Sequence, residues 1–176
     1  FEYIEIQNIS DKDLDLANLR LTKGVDFDFE AGTILKSNQY ILVVRNRIAF
    51  ESLFGTGLPI AGEWDEGNKL DNAGENIKLS YGAGTPIIEF SYDDKEPWPV
   101  GADGDGFTLN LKDPKTISQE NHGVVSNWYP AVTSPGSEGK NTAVTFESWA
   151  SNNGLAPAVS KIEDPDEDSM INLMEY

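Results

Sequence analysis

Cysteine is missing from this chain and histidine is all but missing, since His122 stands alone among 176 residues. Disulfide scaffolds and thiolate metal sites are therefore excluded, and a centre built from several histidines cannot form. Positive charge is scarce as well, with thirteen Lys plus Arg against thirty Asp plus Glu and a formal net charge of -17. Nucleic-acid backbones are held by Lys and Arg that release counterions, so this balance disfavours them and makes cations the natural partners. No apolar run approaches the ~18 residues that a membrane span requires. Sustained helical periodicity is also lacking. The chain opens at Phe1 inside a strand-like pattern with no initiating Met and no signal peptide, which reads as a segment of a longer protein.

Short apolar runs separated by turn residues fill the first three quarters. Phe1-Glu2-Tyr3-Ile4-Glu5-Ile6-Gln7 is rich in aromatic and β-branched residues and stops at the polar turn Asn8-Ile9-Ser10-Asp11. Leu14-Asp15-Leu16, Leu19-Arg20-Leu21 and Phe107-Thr108-Leu109-Asn110-Leu111 alternate apolar with polar, as half-buried strands do. Tyr40-Ile41-Leu42-Val43-Val44 is continuously apolar, which predicts a strand at the centre of a sandwich. After it, Arg47 to Phe54 carries apolar residues at 49, 50, 53 and 54 and ends on Gly55, predicting a short helix with a glycine stop. Asn76 to Tyr81 and Pro86 to Tyr92 flank Gly82-Ala83-Gly84-Thr85, which predicts a hairpin. The segment around Asn127-Trp128-Tyr129 supplies a last strand. The pattern predicts a mainly β chain, a sandwich of immunoglobulin type.

Composition shifts at Thr133-Ser134-Pro135-Gly136-Ser137-Glu138-Gly139, which reads as a linker. Phe146-Glu147-Ser148-Trp149-Ala150 then reads as a short helix capped by Thr145 and ended by Asn153-Gly154. The expected division is a sandwich over 1–137 and, over 138–176, linker, short helix and an acidic loop. That loop, Asp164 to Glu175, follows the oxygen-ligand pattern of an EF-hand-type calcium site. Ca²⁺ takes six to eight oxygens, offered by positions 1, 3, 5, 7, 9 and 12 of such a loop, with the main chain serving at 7 and a bidentate carboxylate at 12. Those positions are Asp164, Asp166, Asp168, Met170, Asn172 and Glu175. Ile171 at position 8 is apolar, as a loop packed on its own helices requires. Ser169 departs from the pattern where the turn favours Gly, and a left-handed conformation there costs a non-Gly residue roughly 1–2 kcal/mol. The chain stops one residue past Glu175, so the exit helix is truncated and binding is expected near the weak end, roughly 10⁻⁴ to 10⁻³ M.

Glu2-Tyr3-Ile4-Glu5-Ile6-Gln7-Asn8 resembles the opening motif of the lamin tail domain, an aromatic-Ile-Glu-Leu-x-Asn strand. The resemblance continues in order through Asp13 to Leu21, Phe29 to Leu35, Gln39 to Val44, Leu70 to Leu79 and Tyr92-Asp93-Asp94. Pro97-Trp98-Pro99, Ala102 to Gly106, Asn127-Trp128 and Ser134-Pro135-Gly136 are similar to the bacterial branch of that family. It implies an immunoglobulin-like sandwich, no catalysis, and a place in secreted or surface multidomain proteins, with binding or attachment as the role. It also implies one more strand before the opening motif; without that strand, one sheet edge is expected to lie open. The tail resembles dockerin-like or thrombospondin type 3-like calcium segments.

Enzymatic alternatives are weaker. A nucleophilic triad would place His122 beside a Ser and a carboxylate, yet no Gly-x-Ser-x-Gly elbow occurs, and Asn121-His122-Gly123 reads as a surface loop. Asp93, Asp94 and Glu96 near Trp98 have the residue types of a glycosidase pair, and they also have those of a tight turn. Asp103-Gly104-Asp105-Gly106 offers only two local side-chain ligands for a second cation. Of the four tryptophans, Trp64, Trp98, Trp128 and Trp149, an exposed pair would mark a carbohydrate face; Trp64 and Trp98 are the candidates if the domain is a polysaccharide-binding accessory to a surface hydrolase. The leading expectation is a non-catalytic extracellular binding or scaffolding module that uses Ca²⁺ and an unidentified protein or polysaccharide partner.

Calcium is expected to raise the thermal midpoint and EDTA to lower it, as followed by a melting curve. The combined Asp164→Ala and Glu175→Ala change should abolish the response, and a melt indifferent to both reagents contradicts the loop's stabilising role.

Overall fold

The structure is a computed structural model that describes residues 2–64, 67–102, 107–131 and 135–136. All of them lie in one compact unit, Phe1–Lys140. The calcium-loop positions Asp164, Asp166, Asp168, Met170, Asn172 and Glu175, the helix expected over 146–150, Trp149 and the Asp103 to Gly106 turn lie outside the described residues.

Two sheets face each other across one apolar core. The first has the order β1 (Tyr3–Gln7), β6 (Tyr40–Val44), β7 (Ile60–Glu63), and the second β4 (Phe27–Asp28), β3 (Leu19–Lys23), β8 (Asn76–Tyr81), β9 (Thr85–Ser91). Two smaller pairs complete the described strands, β2 (Leu14–Asp15) with β5 (Ile34–Leu35) and β10 (Thr108–Leu111) with β11 (Trp128–Ala131). Ile41 and Val43 from the first sheet meet Leu21 and Leu79 from the second in a cluster that also buries Leu16, Val25, Phe29, Leu35 and Trp64. The chain is thus mainly β and sandwich-like, as its alternation predicts.

The uninterrupted apolar run of β6 follows from its position between two apolar layers. Ile41 and Val43 point into the sandwich core, whereas Leu42 and Val44 pack on Phe50 of the helix α1 (Arg47–Phe54). Both faces are dry, so alternation would leave a polar group buried. Asn46 caps α1 by accepting the Ala49 N–H at 2.8 Å, and Glu63 at the end of β7 accepts the Arg47 N–H at 2.6 Å. Gly55 ends the helix at φ 83°, a left-handed angle that favours glycine. The strand beyond it, β7, pairs with β6 in parallel. A helical crossover between parallel neighbours departs from the antiparallel sheets of an immunoglobulin-type sandwich. The residues of β7, Ile60-Ala61-Gly62-Glu63, carry only a weak strand signature.

The pairing of β1 decides what the first sheet leaves open. Arg45 donates its N–H to the Glu2 carbonyl at 3.0 Å, and Asn8 donates to the Gln39 carbonyl at 2.8 Å. In the register between those bonds, Ile4 faces Val43 and Ile6 faces Ile41. Bonded and non-bonded pairs alternate along an antiparallel ladder. Glu2, Ile4, Ile6 and Asn8 therefore turn their peptide groups toward β6, while Tyr3, Glu5 and Gln7 turn theirs outward. The same argument applies to β10, where Lys112 donates to the Asn127 carbonyl at 2.8 Å and Leu109 faces Pro130. Proline has no N–H to offer, which suits a non-bonded position. Leu109 and Leu111 thus direct their peptide groups away from β11.

Asn8 anchors the end of β1. It is 2% exposed, donates to the Lys12 carbonyl at 2.7 Å and the Leu35 carbonyl at 3.0 Å, and accepts from both the N–H and the hydroxyl of Ser10. Removing that amide strands several shielded partners at once. Asn8→Ala should therefore cost about 2–4 kcal/mol in urea denaturation, against about 1 kcal/mol for the exposed helix cap Asn46→Ala. Equal losses for the two would contradict the assignment of Asn8 as the buried anchor.

Candidate binding cleft

The outward edge of β1 and the outward edge of β10 line the same cavity, of about 610 Å³. Its floor is the inner face of the second sheet, with Ile77 and Leu79 from β8 and Ile88 and Phe90 from β9. The size falls within the range of small-ligand and cofactor pockets. Near the first residues of both strands the gap is bridged, because the Thr108 hydroxyl bonds the Tyr3 phenol. Tyr3 also packs edge-on against Phe50 and Phe54, with centroids 5.3 and 5.9 Å away, so helix α1 fixes it from behind.

Among the described residues, five carboxylates line the cleft, Glu2, Glu5, Asp71, Asp93 and Asp94, and no Lys or Arg does so. Glu2 is neutralised from outside by Arg45 at 2.6 Å, and its second oxygen accepts the Leu70 N–H at 3.0 Å. Glu5 pairs with no cation among the described residues and accepts the Gly136 N–H at 2.7 Å. The Glu5 side chain still reaches solvent, yet surrounding protein strips enough water to push its pKa up, an effect that the Gly136 bond partly offsets. Burial and then the charge of Glu5 push the Tyr3 phenol up to about 12. Tyr40 shifts upward for the same two reasons.

One end of the cleft is aromatic. Trp128 stacks on Phe90 at 5.0 Å and 24°, donates its indole N–H to the His122 carbonyl at 2.6 Å, and approaches Trp98 at 6.3 Å. The His122 ring stands edge-on to both Phe90 and Trp128, and burial there lowers its pKa. The surface-loop reading of His122 is thus corrected: its residue lies in a loop, but the ring belongs to an aromatic cluster. Trp64 is 2% exposed and Trp98 9%, so neither offers the open face that a carbohydrate platform needs. Trp64 instead closes the core and donates to the Asn68 carbonyl at 3.1 Å.

The neighbouring side chains act on each other, so that Asp94 holds the Asp93 carboxyl below its ordinary value while Asp93 pushes that of Asp94 up. Asp93 also accepts the Lys95 N–H at 3.0 Å, and Trp98 donates to the Lys95 carbonyl at 2.9 Å. These contacts have the geometry of a capped turn. Among the described residues, no group of three or more His, Cys, Asp or Glu side chains is placed to hold a metal.

Pro135-Gly136 comes from far along the chain to meet Glu5 of β1 and Tyr40 of β6. Pro135 is buried, Gly136 has φ 83°, and a Cβ at Gly136 would overlap the Tyr40 ring. This part of the Ser-Pro-Gly motif is therefore seated on β1 and β6, within the stretch read as linker. A side-chain acceptor 131 positions away cannot be read from local pattern. No family model matches the chain, no curated protein matches it, and no solved structure matches it.

Because its folded-state pKa lies above its unfolded value, Glu5 binds its proton more tightly in the fold. Its contribution to stability therefore grows as pH falls through that interval and is unfavourable once the group ionises above it. Glu5→Gln retains an acceptor for Gly136, so it should raise the thermal midpoint modestly at neutral pH. The difference should vanish below the ordinary glutamate range, and a gap that persists there contradicts the desolvation origin.

Proposed function

We propose that this domain is a non-catalytic binding module of a larger secreted or surface protein, a lamin-tail-type immunoglobulin-like sandwich carrying a Ca²⁺ loop at Asp164 to Glu175. The motif order from Tyr3 to Gly136 supports the family reading. The observation that carries the binding role is the cleft between two outward strand edges, with an apolar floor and an acidic lining. Apolar floor supplies affinity through area removed from water, at roughly 25 cal/mol per Å², while fixed polar groups at the walls supply orientation. A general acid and base would have to be held opposite each other across a substrate. Asp93 and Asp94, the strongest such candidates, are adjacent residues in one capped turn and do not face each other across the cleft.

Calcium's part in this reading is to neutralise crowded carboxylates in the tail and fix its loop, through Asp164, Asp166, Asp168, the Met170 carbonyl, Asn172 and Glu175. The test is to present the full chain, with Ca²⁺ and with EDTA, to panels of polysaccharides and extended polypeptides while following tryptophan emission and the integrity of each ligand. Binding that perturbs Trp128 and leaves the ligand chemically unchanged is expected, with Phe90→Ala weakening it roughly tenfold, about 1.4 kcal/mol of lost contact. Hydrolysis of a glycoside or phosphoester that disappears in Asp94→Ala contradicts the non-catalytic reading.

A further inference from the structure

We infer that His122 is an acid-sensitive pin: with a neutral ring it holds the loop of residues 118–127 against β9 and β11, and in mild acid its protonation frees that loop and uncovers the Phe90 and Trp128 rings. Such a device works independently of what the domain binds.

The loop is bonded to itself and to β11, and among the described residues no hydrogen bond joins it to β9. Two 3₁₀ turns, Gln119–Asn121 and Val125–Asn127, give it its shape. His122 donates its N–H to the Gln119 carbonyl at 3.3 Å, and Val124 donates to the Asn121 carbonyl at 3.1 Å. Asn127 closes the loop, with its N–H on the Val124 carbonyl at 2.9 Å and its side-chain amide on the Asn121 carbonyl at 3.0 Å. The Trp128 indole N–H then reaches back to the His122 carbonyl at 2.6 Å. Across to the second sheet the imidazole spans the gap, edge-on to Phe90 of β9 at 5.9 Å and to Trp128 at 6.2 Å. An attachment made by ring packing lasts only while the ring is uncharged, because a buried ion without a partner is costly.

A cation at this position finds no counter-charge. Strand β9 presents Phe90, whereas its neighbour Glu89 lies on the opposite face and is tied to Lys23 at 2.5 Å. Strand β11 presents Trp128, followed by Tyr129, whose own pKa is raised by burial. The turn that brings Trp98 to 6.3 Å from Trp128 carries Asp93, Asp94, Lys95 and Glu96, and the loop itself carries Glu120. None of these charges shifts the imidazole, whose pKa burial alone lowers. With a folded-state pKa below the ordinary value of about 6.5, the fold binds this proton more weakly than the unfolded chain does. The loop is therefore fully held above the ordinary value and loses its hold as pH falls from there through the lowered one. Cation–π attraction to the same two rings would pull the opposite way, which makes the direction of the measured midpoint decisive.

His122 is the one histidine in the sequence, so its imidazole signals in a nuclear magnetic resonance titration of the full chain need no assignment. The expected midpoint lies below that of the same histidine in the urea-unfolded chain. Protection of the Trp128 indole N–H against hydrogen exchange, its signal identified by loss in Trp128→Phe, should fall several-fold with that same midpoint. His122→Phe keeps a ring that takes no proton and should stay protected throughout. His122→Lys carries its charge at every pH of the titration and should be unprotected already at neutral pH; if that variant fails to fold, the His122→Phe comparison decides alone. A midpoint at or above the unfolded value overturns the inference, because the rings would then favour the cation. Protection that stays flat across the titration overturns it as well. So does an acid loss of protection that persists in His122→Phe, because the sensor would then lie among the carboxylates.

Discussion

A β-strand has two hydrogen-bonding edges, and β1 is bonded to β6 along one of them. Everything distinctive in the described residues is arranged around that asymmetry. The bonded edge is fixed at both ends, by Glu2 with Arg45 and Leu70 and by the fully satisfied amide of Asn8. Helix α1 supports the strand from the outer face through Tyr3, and Ile4 and Ile6 pack against the core from the inner face. With one edge, two faces and both ends held, the remaining edge stays extended and presents its peptide groups to the cleft. A flexible edge would collapse or fray, whereas a fixed one is preorganised to accept a partner.

The acidic excess takes on a more particular meaning in this setting. Net charge alone says that the surface favours cations and repels polyanions. The cleft concentrates that property where the unpaired edges lie, because Arg45 is taken up by Glu2 outside it. Glu5 is the residue on which geometry and electrostatics converge. It sits on the open strand, accepts from Gly136, carries a raised pKa from lost solvation, and raises the phenols of Tyr3 and Tyr40 in turn. The same sign of charge recurs at Asp164, Asp166, Asp168 and Glu175, where the spacing suits a small hard cation.

Local pattern was enough for much of this architecture. Tyr40 to Val44, the Arg47 to Phe54 helix with its Gly55 stop, and the β8 to β9 hairpin all carry their signals within a few residues. Strand β7 did not, because Ala61 and Gly62 owe their extended conformation to pairing with β6. The cleft was legible only in halves. Alternation marks Ile4 with Ile6 and Leu109 with Leu111 as half-buried pairs, but that their outward edges share a cavity depends on sequence separations of about a hundred residues, where pattern has no reach. The burial of Trp64 and Trp98 was equally hidden, since a tryptophan in a turn-rich segment has the same local context whether it closes a core or faces a sugar.

Amide hydrogen exchange along β1 in the ligand-free protein tests the central claim most directly. The account predicts slow exchange at Ile4 and Ile6, whose N–H groups are held by β6, and fast exchange at Tyr3, Glu5 and Gln7, giving a two-residue period along five residues. Uniformly slow exchange across all five would show that the outer edge is already covered, and would contradict the account.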